Sequence, residues 1–179
     1  MLNGTWNADA THSSLGFAIR HMVVATFRGE LRDFDATLSV SGDAVSLRGS
    51  GRVASVTTRQ EVVAKQLLGP DFFDGARHPE LRLVAQSLGV RENVLEGEAD
   101  LTIRGLTRPI RLHGELSGPV VDPFGSSRLG LDVTATVDRT AWGISWNAPL
   151  PDGGLVLANT VAVTAHLELV RDGQSEAVS

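Results

Sequence analysis

The 179-residue chain contains no cysteine, which excludes disulfide bonds, thiolate catalysis and metal sites held by cysteine. Its first residues, Met1 to Trp6, do not form a charged and then apolar leader. Together these two absences predict a soluble protein of the cytoplasm. No apolar run approaches the roughly 20 residues that a membrane-spanning helix needs.

An excess of positive charge is also missing. The formal net charge is −5 at pH 7, and the 16 basic residues are dispersed along the chain. Without a basic stripe to follow a phosphate backbone, we expect no nucleic acid partner.

Motifs that carry catalysis or bind metals are absent as well. The five histidines show no Glu-x-x-His or His-x-His spacing, so no dedicated metal site and no cofactor are predicted. Asp71 and Asp74 could form a carboxylate pair, but they lie in a turn segment next to Pro70, which favours turn bonding over acid–base catalysis. We therefore predict no catalytic residue and no enzyme activity.

What the sequence does contain is alternation of apolar and polar residues. Between residues 96 and 104 the apolar or small positions are Gly97, Ala99, Leu101 and Ile103. The segments 128–137 and 160–170 alternate in the same way. Period two is typical of strands with one apolar face, and without long helices to cover that face the chain is expected to form a barrel or a sandwich.

The predicted strands are linked mostly by short turns, which favours an all-β fold: an extended, eight-stranded antiparallel up-and-down barrel in a single domain, residues 1–179. A bulge is expected near Arg32-Asp33, where the alternation changes phase. One short helix, 60–68, is predicted to bury Val62, Val63 and Leu67, and 141–159 is read as a long loop. The predicted strands are 14–21, 26–40, 46–57, 80–87, 94–104, 110–116, 128–138 and 160–170.

The inward side chains of such a barrel have two interpretations: they line a cavity, or they fill a core that has none. Phe72 and Phe73 either fix the helix to the barrel or form the rim of a pore. Trp142 and Trp146 are either core residues or part of a lid that touches a membrane. His12 and His21 are either structural or close to a ligand, and a haem-type or metal-dependent barrel using one of them is the alternative function, as is a filled barrel that binds nothing.

A series of short motifs, in order and at compatible spacing, resembles the YceI-like family of polyisoprenoid-binding proteins. The series covers nearly the whole chain. Its residues are Trp6, Asp9, His12-Ser13, Phe17, His21, Gly29, Ser55-Val56-Thr57-Thr58, Asp71-Phe72-Phe73-Asp74, His78-Pro79, Leu101-Thr102-Ile103-Arg104-Gly105, Thr107, Pro109 and Trp142-Gly143.

This resemblance implies a lipocalin-like barrel that binds, transports or stores a polyprenyl chain or an isoprenoid quinone in an apolar pore, without catalysis. It also implies a homodimer. Transient membrane contact is expected from the lid interpretation of Trp142 and Trp146. The ligand-binding residues expected on this basis are Phe17, Ile19, His21, Phe34, Leu38, Phe72, Phe73, Leu83, Leu101, Ile103, Leu131, Val133, Trp142, Trp146, Val163 and Leu167.

The chain departs from the family pattern in its helix. Relatives commonly carry an Arg-Asp pair followed by a histidine there, whereas this sequence has Val63, Ala64 and Gln66. A more apolar barrel end and a different ligand preference are expected from this change.

Overall fold

The structure is a computed structural model that describes residues 2–173. Strands dominate this part of the chain, which contains twelve strand segments and one α-helix. The segments are β1 (Gly4–Ala8), β2 (Ser14–His21), β3 (Ala25–Leu31), β4 (Phe34–Ser41), β5 (Ala44–Arg52), β6 (Val56–Thr58), α1 (Glu61–Leu67), β7 (Glu80–Ala85), β8 (Leu88–Arg91), β9 (Val94–Ile103), β10 (Leu106–Val121), β11 (Ser127–Asp138) and β12 (Leu157–Arg171).

The strands form a closed antiparallel barrel of eight strands, as the sequence predicts. The first three barrel strands are each interrupted once and consist of β1 with β2, β3 with β4, and β5 with β6. The others are β7, β9, β10, β11 and β12, and β12 closes the barrel by pairing with both β1 and β2. The break between β3 and β4 falls at Arg32-Asp33, where the bulge is expected.

One half of the barrel interior is filled by side chains. Trp6 is buried there: its indole Nε1 donates to the Leu2 carbonyl at 2.8 Å, and the Arg171 guanidinium lies 5.8 Å from its ring centroid. The most deeply buried side chains here are each at most 1% exposed: Trp6, Leu38, Leu95, Leu129, Leu131 and Leu169. This filled half forms the continuous core that carries much of the barrel's stability.

Helix α1 covers the other half, although only one side of it packs. Leu67 is buried and Val63 is half-buried, because residues four apart share a helix face, whereas Val62 is 70% exposed. The prediction that Val62 joins the packed side is therefore wrong. In this helix of seven residues, Val63 and Leu67 face the barrel and Val62 faces solvent. No helix within residues 2–173 combines the length and apolar character required to cross a membrane.

The sequence-based prediction misses two strands, β1 and β8. β1 has a single fully buried side chain, Trp6, so its alternation is too short to recognise. β8 has four residues, and Leu88 alone among them is buried. Conversely, β10 extends well beyond the predicted 110–116, because its outer ends carry exposed side chains that give no apolar signal.

Candidate ligand-binding site

The half of the barrel next to α1 encloses a cavity of about 630 Å³. Its walls are mainly apolar side chains from the barrel strands, and α1 contributes Val63 and Leu67. Towards the filled half the cavity ends at Leu47, Leu112 and Leu167. Its volume lies within the range of about 300–1,000 Å³ that is typical of small-molecule sites. The interpretation of a barrel filled throughout by side chains is therefore wrong: one half is filled, and the other contains a cavity.

The structure brings fourteen of the sixteen sequence-predicted residues to this cavity. Leu38 and Leu131 do not reach it, because they lie in the filled half at 0% and 1% exposure. Alternation identifies the inward face of a strand but carries no information about where along the strand the core closes. The fourteen are Phe17, Ile19, His21, Phe34, Phe72, Phe73, Leu83, Leu101, Ile103, Val133, Trp142, Trp146, Val163 and Leu167.

The lack of a side chain at Gly49 of β5 helps to create the cavity. Gly49 pairs with Ala36 on one side and Leu83 on the other, so it faces inward. A Cβ at Gly49 would lie 3.6 Å from the Asp35 carbonyl oxygen and 3.8 Å from Leu83 Cβ, which are ordinary contacts. The position thus tolerates a side chain sterically, and that side chain would project into the cavity. The sequence suggests only that glycines here mark a bend.

A second glycine allows an aromatic ring to lie across the wall. Gly29 of β3 is directly opposite Phe17 of β2, and a Cβ at Gly29 would lie 2.4 Å from Phe17 Cζ. The Phe17 ring also contacts Phe27 and Phe73, with centroids 6.4 and 6.1 Å away. These rings form an aromatic wall near α1.

The two tryptophans belong to the packed wall. Trp142 is 2% exposed, and its indole Nε1 donates to the Leu101 carbonyl at 3.1 Å. Trp146 is half-buried, with its ring centroid 5.6 Å from that of Phe72. In this structure neither ring forms an exposed tip that could reach a membrane.

A buried guanidinium borders the cavity, and sequence reasoning missed it. Arg139 is 5% exposed. It donates from Nε to the Ala158 carbonyl at 2.9 Å and from Nη1 to the carbonyls of Ile144 and Trp146 at 2.7 and 2.9 Å. Burial lowers the pKa of the Arg139 guanidinium. The signal was available, because Arg139 continues the inward series of β11 in which Val133, Ala135 and Val137 precede it.

The histidines lie in different parts of the barrel. His21 is half-buried and lines the cavity, whereas His113 and His166 lie exposed on the outer face and contact Glu96 and Asp132 at 2.9 and 2.6 Å. His12 lies at the filled end of the barrel, away from the cavity.

His12 belongs to an ion-pair network at that end. Its Nδ1 lies 3.0 Å from Asp9 Oδ2, and one ligand atom each from His12, Asp9 and Glu168 come within 4.8 Å of one another, as in a metal site. However, the Arg128 guanidinium already donates to Asp9 and Glu168 at 3.0 and 2.5 Å and to Asp122 at 2.6 Å. These carboxylates therefore already share a cationic partner, the Arg128 guanidinium.

The network favours the charged forms of Asp9, His12 and Asp122. Hydrogen bonds from His12, the Thr11 backbone and Arg128 lower the pKa of Asp9 to about 2. The Asp9 carboxylate in turn raises the pKa of His12. Arg128 likewise lowers the pKa of Asp122.

Comparisons with known proteins agree with this architecture. A model of the YceI-like domain matches residues 6–169. A UPF0312 protein of Staphylococcus aureus strain USA300 is 32% identical over 166 residues, which cover 89% of this chain and 94% of that protein.

Solved structures agree at the level of the fold. Burkholderia cenocepacia BcnA superimposes with a TM-score of 0.77 at 18% identity, over 90% of this chain and 98% of that one. A polyisoprenoid binding domain from Saccharophagus degradans gives a TM-score of 0.72 at 16% identity, over 93% and 98%. The chain therefore belongs to the YceI-like family.

Proposed function

We propose that this protein binds an isoprenoid lipid, a polyprenyl chain or the tail of an isoprenoid quinone, in the barrel cavity and releases it unchanged. The observation that carries the proposal is the cavity itself, about 630 Å³ with largely apolar walls. Support also comes from a fold neighbour described as a polyisoprenoid binding domain.

The cavity volume limits the length of lipid that it can enclose. An apolar protein cavity of about 150 Å³ holds one benzene molecule, or about 25 Å³ per carbon atom. On that scale a cavity of about 630 Å³ has room for about 25 carbon atoms, or about five isoprene units. A longer chain would leave its remaining units outside the mouth.

Reversible carriage or storage is the role that the energetics favour. Transfer of a prenyl chain from water would be strongly favourable, at about 0.8 kcal/mol per buried CH₂. Such lipids normally lie in a bilayer, whose interior is as apolar as the cavity, so transfer between the two is close to neutral. A carrier needs this balance in order to release its ligand.

Catalysis receives no support from the groups that line the cavity. His21 is the lining histidine, and within residues 2–173 no side-chain hydrogen bond joins it to a carboxylate that would orient it as a base. The alternative of a haem or metal bound by His21 predicts a Soret band or bound metal in the purified protein. A colourless, metal-free protein that carries extractable lipid would contradict that alternative.

Filling the cavity at Gly49 tests the proposal. We expect Gly49→Leu to weaken binding of geranylfarnesol, a prenyl alcohol of about five isoprene units that would fill the cavity, by about tenfold or more, because the new side chain occupies volume that the ligand needs. Binding is measured by titration, with displacement of an apolar fluorophore as the readout.

Gly89→Leu is the matched control. Gly89 is exposed on β8, and a Cβ there would make an ordinary 3.7 Å contact with the Glu96 carbonyl oxygen. This variant should bind geranylfarnesol as the natural protein does. Equal geranylfarnesol binding by all three proteins would contradict the cavity as the binding site.

A further inference from the structure

The turn between β2 and β3 presents three consecutive aliphatic side chains to solvent. Met22, Val23 and Val24 are 45%, 66% and 83% exposed. Single exposed apolar residues are common on protein surfaces, but a contiguous group at the tip of a turn is typical of a contact site.

The backbone of this turn makes the choice of residues more unusual. Met22 and Val23 adopt φ of 49° and 63°, in the left-handed region that glycine and asparagine accept and that β-branched residues disfavour. Arg20 holds the turn by donating to the Val23 carbonyl and to Thr26 Oγ1. Aliphatic residues thus occupy this turn against the local conformational preference, which points to a function for their side chains.

The turn lies at the mouth of the cavity. Its flanking residues, His21 and Ala25, both line the cavity, and the Met22 amide donates to the Val156 carbonyl at 2.7 Å. Ala25 and the lining residues Arg59, Gln60 and Gln66 are exposed, so the cavity reaches the surface at this end.

Two more exposed aliphatic residues adjoin the mouth. Leu155, 49% exposed, precedes the lining residue Val156, and Val62, 70% exposed, precedes the lining residue Val63. We call the five residues Met22, Val23, Val24, Val62 and Leu155 the collar.

The charges near the collar are locally positive, although the net charge of the chain is −5. Arg20 and Arg59 are exposed there, and Asp152 lies in the loop that precedes Leu155. Lys65 of α1 pairs with Glu61 at 2.7 Å, so these two charges balance. Aliphatic side chains next to a surplus of arginine are typical of surfaces that enter the headgroup boundary of a bilayer containing anionic lipid.

We infer that the collar docks this protein onto a lipid bilayer, with the mouth of the cavity against the membrane, so that the prenyl chain passes between bilayer and barrel without crossing water. This inference rests on the proposed function for the identity of the cargo. Docking itself depends only on the collar.

A second group of exposed aliphatic and aromatic residues provides an internal comparison. Val120, Val121 and Phe124 are 61%, 70% and 81% exposed, around the connection from β10 to β11. This connection lies at the filled end, where Val120 pairs with Arg128 of the ion-pair network. Exposed apolar surface away from the mouth of the cavity next to α1 is thus available in the same molecule.

The test is flotation of the full-length protein with vesicles of phosphatidylcholine and phosphatidylglycerol that also contain a polyprenyl alcohol and an isoprenoid quinone. We expect the double variant Val23→Asn, Val24→Ser to bind these vesicles about tenfold more weakly or worse, because two side chains no longer enter the membrane. Asparagine suits the left-handed backbone at position 23, so loss of binding is not explained by unfolding, and a thermal melt verifies this. The double variant Val120→Ser, Val121→Ser is the control and should bind vesicles like the natural protein.

The outcomes separate docking from cargo. Vesicle binding that is unchanged in the collar variant, that falls equally in the control, or that is absent in the natural protein would overturn the inference. Lipid occupancy of the cavity is measured on the same samples by mass spectrometry. Collar-dependent vesicle binding by a protein with an empty cavity would uphold docking and overturn the proposed function.

Discussion

At the scale of single residues, the site depends on Gly49 and Arg139, neither of which has the apolar side chain that is expected of a cavity wall. Gly49 contributes volume by having no side chain. Arg139 contributes a buried charge that holds the ends of the segment 144–158 through three carbonyl groups. Because this guanidinium borders the cavity, the same side chain fixes one end of the barrel and sets the polarity of the wall beside it.

Replacement of Arg139 by leucine should destabilise the protein by about 2–4 kcal/mol, because three carbonyl groups lose their donor in a buried setting. Urea unfolding followed by circular dichroism measures the change in the free energy of unfolding. Arg82→Leu serves as the control, since Arg82 is exposed and pairs with Glu80 on the surface at 2.7 Å. We expect it to change stability by less than about 1 kcal/mol. Similar losses in the two variants would show that Arg139 is not a buried clamp.

At the scale of elements, α1 and the residues that follow it cover the open half of the barrel. Leu67 and Phe72 form a small apolar cluster with Val56 and Ile144, separate from the core of the filled half. A helix of seven residues is too short to be stable alone, so this cluster holds it in place. The cover therefore depends on a few contacts, and the mouth of the cavity lies beside it.

Truncation of the buried side of α1 should cost far more than truncation of its exposed side. We expect Leu67→Ala to lower the free energy of unfolding by about 2–4 kcal/mol and Val62→Ala by less than about 0.5 kcal/mol. Urea unfolding of both variants tests this difference. If Val62→Ala proved as costly as Leu67→Ala, the helix would have to pack in the orientation that the sequence pattern suggests and that the structure does not have.

At the scale of the whole molecule, closure of the barrel is reinforced by charge. The network of Asp9, His12, Asp122, Arg128 and Glu168 joins the connection between β1 and β2 to β11 and β12, next to the place where the last strand meets the first. Several charges sharing one guanidinium are worth more than isolated surface pairs. The network lies at the end opposite the cavity, so it stabilises the barrel without affecting ligand access.

The network predicts an acid-sensitive stability. The pKa of Asp9 is about 2 in the folded protein, below its ordinary 3.8, so its contribution is fully present above pH 3.8 and is lost as pH falls through about 2. Thermal melts of the natural protein and Asp9→Asn should therefore differ at pH 5 and converge near pH 2. A constant difference across this range would contradict the ion pairs.

The fold could be predicted from the sequence because strand alternation is a local property. The inward phase of β11 and β12 follows directly from their residues, and ten of the fourteen predicted lining residues lie on strands. The other four, Phe72, Phe73, Trp142 and Trp146, lie outside the strands and follow from the family resemblance. The extent of the cavity is not local: Leu131 and Val133 look equivalent in sequence, yet one packs in the filled half and the other lines the cavity. That difference depends on which side chains of other strands reach the same level.

The collar shows that sequence patterns also fail to identify which apolar residues are exposed. Nothing in the sequence distinguishes Val23 and Val24 from core residues, and the sequence favours the tryptophans as the membrane contact. The structure instead exposes the two valines, whereas Trp142 is buried and Trp146 is half-buried.

The central claim is that the cavity holds an isoprenoid lipid, and native mass spectrometry of the full-length protein tests it most directly. The protein is mixed with vesicles that contain both a polyprenyl alcohol and an isoprenoid quinone, separated from them, measured intact, and extracted for lipid identification. We expect one prenyl lipid per chain, and its identity would reveal the head group that the mouth accepts. A protein that emerges with neither lipid, or with fatty acyl lipids alone, would contradict the claim.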